Sequence, residues 1–114
     1  MRELVESYFA AERRRDVSAV LEHFDADAVV VLPDGRRLDG RAAIGEFYAG
    51  VYAQLAELDV RVVSMVTEDG LTAVEWEAAL IDHSGETQTL RGVNVLRTSG
   101  GRFTEVRTYF GPAL

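Results

Sequence analysis

The spacing of apolar residues changes period near the middle of the chain, and that change predicts the architecture. Over residues 3 to 14, Leu4, Val5, Tyr8, Phe9 and Glu12 recur every three or four positions, with Glu6, Arg13 and Arg14 outside the stripe. That is the spacing of an amphipathic helix. Glu12 follows Tyr8 by one turn on the same side. The run Arg13-Arg14-Arg15 places cations at the C-terminal end, where they complement the helix dipole. Asp16 is the expected N-cap of a short second helix that buries Val17, Val20, Leu21 and Phe24. The apolar run 28–32 reads as a strand. Pro33-Asp34-Gly35 reads as a turn, and residues 36–39 as a short return strand. A third helix is expected over residues 41–55, with Ile44, Phe47, Tyr48, Val51, Tyr52 and Leu55 inside. Gly45 and Gly50 each weaken it by roughly 1 kcal/mol relative to alanine, so packing must hold it.

From Leu58 the period is two. Strands are expected over 58–67, 71–82, 86–98 and 102–110, separated by turns at Glu68-Asp69-Gly70, His83-Ser84-Gly85 and Ser99-Gly100-Gly101. Alternation puts Val74, Trp76, Ala78 and Leu80 on one face of their strand and Glu75 and Glu77 on the other. In the last hairpin, Gly92, Asn94 and Leu96 share one face, and Arg91, Val93, Val95 and Arg97 the other. In its second arm Phe103, Glu105, Arg107 and Tyr109 are expected opposite Thr104, Val106, Thr108 and Phe110. Three helices followed by four long strands predict a single α+β domain over residues 1–114, with the helices on one face of a curved antiparallel sheet. The other face mixes Val93 and Val95 with Arg91, Arg97, Glu105 and Arg107, a composition suited to a homodimer surface.

Asn94 stands out as an amide among apolar neighbours. A buried amide is costly unless it has hydrogen-bond partners, and here the partner could be protein or ligand.

Composition narrows the chemistry. The net charge of −7 argues against nucleic acid and anionic membrane surfaces, both of which need a basic face. There is no cysteine, so no disulfide, thiolate nucleophile or zinc–thiolate site can form. Two histidines leave little room for a metal centre: His23 reads as a surface or half-buried helix residue, and His83 as an exposed turn residue. Asp34 and Asp39 read as turn residues. No apolar run approaches the ~20 residues of a membrane span, and no leader segment stands out at the N-terminus. The expectation is a cytoplasmic protein without metal or cofactor; no glycine-rich phosphate loop follows a strand.

The order of elements and several short strings resemble the nuclear transport factor 2-like superfamily, in particular its SnoaL-like and ketosteroid isomerase-like branch. The strings are Tyr8, Asp16, Phe24-x-x-Asp27-Ala28-Val29, Gly40-Arg41-x-x-Ile44-x-x-Phe47-Tyr48 and Gly101-Arg102-Phe103-x-Glu105-Val106-Arg107-x-Tyr109-Phe110. The resemblance spans nearly the whole chain and implies a cone-shaped α+β barrel whose sheet wraps a pocket closed by the helices. In ketosteroid isomerases a tyrosine and a protonated aspartic acid donate to an oxyanion, and a second aspartate is the base. By this resemblance Tyr8 matches the donor tyrosine and Tyr48 its supporting tyrosine. Asn94 falls at the acid position, where an amide can still donate. The base position falls at Leu32, which cannot take a proton. The Arg-x-Asp pair of limonene-epoxide hydrolases becomes Gly92 and Asn94.

The resulting expectation is a pocket for a small apolar molecule. Tyr8, Asn94 and Glu12 are its candidate catalytic residues, and Phe24, Leu32, Tyr48, Trp76, Val106, Thr108 and Phe110 its candidate walls. Glu12 reads either as a desolvated base in the pocket or as an exposed helix-end carboxylate near Arg13 or Arg15. Tyr8 reads either as a ligand contact or as a core residue whose hydroxyl is satisfied by Tyr48 or Asn94, and Asn94 either as a pocket donor or as a structural amide. An isomerase or cyclase acting on an apolar carbonyl, polyketide-like or steroid-like compound leads. A non-catalytic ligand-binding or assembly domain is the alternative.

Overall fold

The structure, a computed structural model, describes residues 1–113. The first helix, α1 (Arg2–Arg13), buries Val5, Tyr8, Phe9 and Ala11. Arg15 then takes a positive φ of 52°, and α2 (Val17–Leu21) begins under the Asp16 cap, whose carboxylate accepts from the Ala19 N–H at 3.1 Å. The third helix, α3 (Gly40–Ala53), stops two residues short of the expected end, and Leu55 already belongs to a strand. Gly45 has a packing role in α3. A Cβ built there would sit 2.9 Å from Leu21 Cδ1, so the missing side chain lets α2 lie against α3.

The strands are β1 (Phe24–Val31), β2 (Arg37–Asp39), β3 (Leu55–Glu68), β4 (Leu71–Asp82), β5 (Thr87–Ser99) and β6 (Arg102–Pro112). They form one sheet in the order β2-β1-β6-β5-β4-β3. The β3–β6 portion is the expected antiparallel meander. The sheet as a whole is mixed, because β1 runs parallel to β6. Together the elements make the α+β cone, with the sheet curved but left open rather than closed as a barrel.

Strict alternation fails at several points along the sheet, and one of them moves a core residue. Arg97 pairs with Glu105 but Thr98 pairs with Phe103, so Thr104 is an extra residue in β6. Such a bulge flips the side-chain register beyond it. Phe103, expected outside with Glu105, is instead 1% exposed and packs on Tyr8 and Phe24 with ring centroids 5.3 and 5.4 Å away. These three rings, with Phe9, form the aromatic centre of the core beneath α1.

On the outer sheet face, Arg61 and Arg91 both bridge to Glu77, at 2.6 and 3.5 Å, and Arg107 pairs with Glu105. Between these pairs lie Val93 and Val95, half-buried, and Tyr109, exposed. No helix among the described residues is long and apolar enough to cross a membrane.

Candidate functional site

A cavity of about 330 Å³ lies between the inner sheet face and helices α1 and α3. Its size suits a small ligand, and most of its wall is aliphatic or aromatic. Two groups of polar residues interrupt that wall, besides the exposed Gln88.

The first group is held by two helices in matching register. Tyr8 and Glu12 are one turn apart on α1, and Tyr48 and Tyr52 are one turn apart on α3. The Tyr8 and Tyr48 hydroxyls hydrogen-bond to each other, and the Tyr52 hydroxyl donates to Glu12 Oε1. Glu12 as a residue keeps partial exposure, but its carboxyl group is enclosed. Desolvation raises its pKa above the ordinary carboxylate value, and hydrogen bonds from Tyr52 and Tyr8 pull the other way. The three phenols are pushed above the ordinary tyrosine range, first by burial and then by the nearby Glu12 charge. Tyr8, Tyr48 and Tyr52 therefore stay protonated and serve as donors at any physiological pH.

The second group lies on the sheet. Val74, Asn94 and Thr108 are register partners across β4, β5 and β6, and Trp76, Gly92 and Phe110 form the next row. The Trp76 Nε1–H donates to Asn94 Oδ1 at 3.0 Å. An indole nitrogen is only ever a donor, so this contact fixes which end of the amide is oxygen. The Asn94 NH₂ makes no hydrogen bond with the described protein, yet no enclosed polar atom lacks a partner, so the NH₂ opens onto free space. With Asn94 lining the cavity and only 6% exposed, that space is the cavity.

Gly92 makes the row possible. A Cβ there would lie 2.4 Å from Trp76 Cζ2, 2.6 Å from the Tyr109 carbonyl oxygen and 2.8 Å from Phe110 Cβ. Without that Cβ the Trp76 and Phe110 rings meet over β5, with centroids 6.0 Å apart. Phe110 lines the cavity while remaining 42% exposed, so it stands at the opening.

Of the residues expected at the site, Tyr8, Glu12, Leu32, Tyr48, Trp76, Asn94, Val106, Thr108 and Phe110 all line this cavity. Phe24 does not. It is fully buried in the aromatic core, because β1 begins at Phe24 and turns its ring toward Tyr8 and Phe103. Tyr52 is the site residue that sequence reasoning passed over as plain core. The signal was its i+4 spacing from Tyr48, which repeats the spacing of Tyr8 and Glu12. Neither histidine reaches the cavity. His23 Nδ1 donates to the Ala19 carbonyl at 2.7 Å, so its Nε2 accepts from the Ser7 hydroxyl at 2.8 Å and ties α1 to α2. His83 Nε2 donates to the Ala53 carbonyl at 3.0 Å. Arg13, expected in solvent, donates to the Val60 carbonyl at 2.7 Å. Among the described residues, no three His, Cys, Asp or Glu side chains cluster as metal ligands would.

Residues 5–106 match the SnoaL-like domain family. No curated protein matches the chain. Three solved structures show the same fold. A protein of ketosteroid isomerase-like fold from Catenulispora acidiphila, in complex with trimethylamine, is 21% identical with a TM-score of 0.84, covering 94% of this chain and 84% of its own. A protein described as a SnoaL-like polyketide cyclase, from Shewanella denitrificans, is 17% identical with a TM-score of 0.84, covering 96% and 89%. An epoxide hydrolase of the limonene-epoxide hydrolase-like type from M. tuberculosis is 19% identical with a TM-score of 0.81, covering 96% and 80%. At these identities the likeness is one of fold.

Proposed function

We propose that this chain, which belongs to the SnoaL-like domain family, where one fold serves several chemistries, is an enzyme of the isomerase or cyclase type. Its substrate is a small, largely apolar carbonyl compound of the polyketide-like or steroid-like kind. The observation that carries this reading is the pairing, in one apolar cavity, of an ionisable carboxyl, Glu12, with a free amide donor, Asn94. Glu12 is the base. It takes a proton from carbon beside the carbonyl, and its raised pKa brings it closer to the basicity such a step needs. Asn94 donates to the oxygen as it gains charge, and Tyr8 joins it when its one hydroxyl proton turns from Glu12 to the substrate. Water is held off by the aliphatic wall.

The usual base position of a ketosteroid isomerase is Leu32, which lines the cavity and cannot accept a proton. Base catalysis from Glu12 would therefore approach the substrate from α1 rather than from the sheet. A non-catalytic ligand-binding module uses the same donors and differs only in leaving Glu12 idle. A pure assembly role is disfavoured by the cavity's volume. We further propose a cytoplasmic homodimer through the outer sheet face, supported by Val93, Val95 and Tyr109 set among mutually neutralising charges.

The test is solvent-deuterium exchange of a cyclic ketone's α-hydrogens, followed by NMR. The parent should exchange them faster than buffer, and Glu12→Gln should not. Equal rates in both would remove the enzyme reading and leave the binding one.

A further inference from the structure

Among the described residues, Glu12 is the one acidic side chain that lines the cavity, and no arginine or histidine lines it with Glu12. Arg13, its neighbour in sequence, is turned away to the Val60 carbonyl. Among the described residues Glu12 enters no ion pair, and its charged form is met by hydroxyl donors from α1 and α3. An enclosed carboxylate without a cation is costly, and a cation of the right size would relieve that cost. The surroundings suit such a cation. Phe47, Tyr48, Tyr52 and Trp76 contribute ring surface to the same cavity, and Tyr48 and Tyr52 pack on each other at 5.6 Å. Aromatic surface attracts alkylammonium groups while accommodating their methyls. The chain's net charge of −7 draws cations toward it.

We propose that this cavity takes small apolar ammonium ions, with the cationic head against Glu12 among the rings of α1 and α3. This ligand class is distinct from the carbonyl compounds above. It uses Glu12 as counter-ion and makes no use of the Asn94 donor. The two readings share Glu12, so an ammonium ion seated there occupies the base and blocks the proton transfer.

Protonation gives the proposal a direction with pH. The groups facing Glu12 are Tyr8 from its own helix and Tyr48 and Tyr52 from α3, all neutral throughout the working range. Only Glu12 therefore changes charge as the site is titrated. An ammonium ion needs the carboxylate, so its affinity should rise with pH through the Glu12 pKa and then level off.

The experiment compares choline with 3,3-dimethylbutan-1-ol, which has the same shape with carbon in place of the charged nitrogen. Calorimetric titration of the full chain at pH 8 should favour choline by about tenfold or more. Glu12→Gln keeps the side chain's shape, and there the preference should vanish or reverse. Lowering the pH of the parent to 4 should weaken choline and leave the alcohol unchanged, a check that requires no variant. Equal affinities in the parent, no binding of either compound, or a preference that survives Glu12→Gln would overturn the proposal. Those failures leave the ketone-exchange test of the enzyme reading untouched, since that test uses no cation.

Discussion

The indole N–H of Trp76 points at the Asn94 amide oxygen across 3.0 Å, on neighbouring strands, and so turns the amide NH₂ into the cavity. Breaking this pair from either side should have different consequences. Asn94→Leu leaves an enclosed indole N–H without its acceptor and should cost about 1–3 kcal/mol of stability in denaturant titration. Trp76→Phe frees the amide to flip. It should weaken phenolate binding while sparing ligands that only donate. The double variant should lose less stability than the sum of the two, because the singles remove one shared bond. Strict additivity would mean that the pair is not coupled.

Gly92 keeps that pair in place. Gly92→Ala forces a Cβ to within 2.6 Å of the Tyr109 carbonyl oxygen, which is backbone and cannot rotate away. It should destabilise the fold by about 1–3 kcal/mol and shift the Trp76 fluorescence. Gly50→Ala, in open space on α3, should stabilise by up to about 1 kcal/mol in the same assay.

Tyr8 and Asn94 come from elements far apart in sequence and line one cavity. Tyr8→Phe should weaken phenolate binding by about tenfold, given the strength of a hydrogen bond to a charged acceptor. If both donors act on one oxygen, the Tyr8→Phe, Asn94→Leu double variant should lose less affinity than the two singles combined. Calorimetry of the four proteins with a phenol series reads this out.

Sedimentation equilibrium at micromolar concentration should return twice the chain mass. Val93→Glu, placed among the outer-face charges, should return the chain mass with the fold kept by circular dichroism. A parent that sediments as a monomer would end the dimer proposal.

Much of this was legible in the sequence, for a physical reason. Helical and strand periodicities are local, so the three helices, the meander and the inward faces of Trp76, Asn94, Val106 and Thr108 could be read from spacing alone. What spacing cannot show is how distant elements meet. The parallel pairing of β1 with β6 joins residues some eighty positions apart, and it carries Phe24 away from the cavity into the core. The extra residue at Thr104 has no composition signature, so Phe103 was expected on the wrong face. The Glu12–Tyr52 bond is the tertiary match of two helical stripes, each visible separately but not their alignment.

The Glu12 carboxyl is enclosed and accepts from Tyr52. Its folded-state pKa is raised, so the folded protein holds its proton more tightly than the unfolded chain does. The resulting stability is fully present below the unfolded pKa and is lost as pH rises through the folded one. Glu12→Gln should flatten that part of the pH–stability curve. Tyr52→Phe, by removing a donor to the carboxylate, should raise the Glu12 pKa further.

The most direct measurement is a carboxyl-carbon NMR titration of the full chain, with Glu12 assigned by its loss in Glu12→Gln. The cavity account predicts a Glu12 midpoint above that of every exposed glutamate, moving when choline or a phenol is added. A midpoint at the ordinary glutamate value, unmoved by either ligand, would contradict it and return Glu12 to the surface.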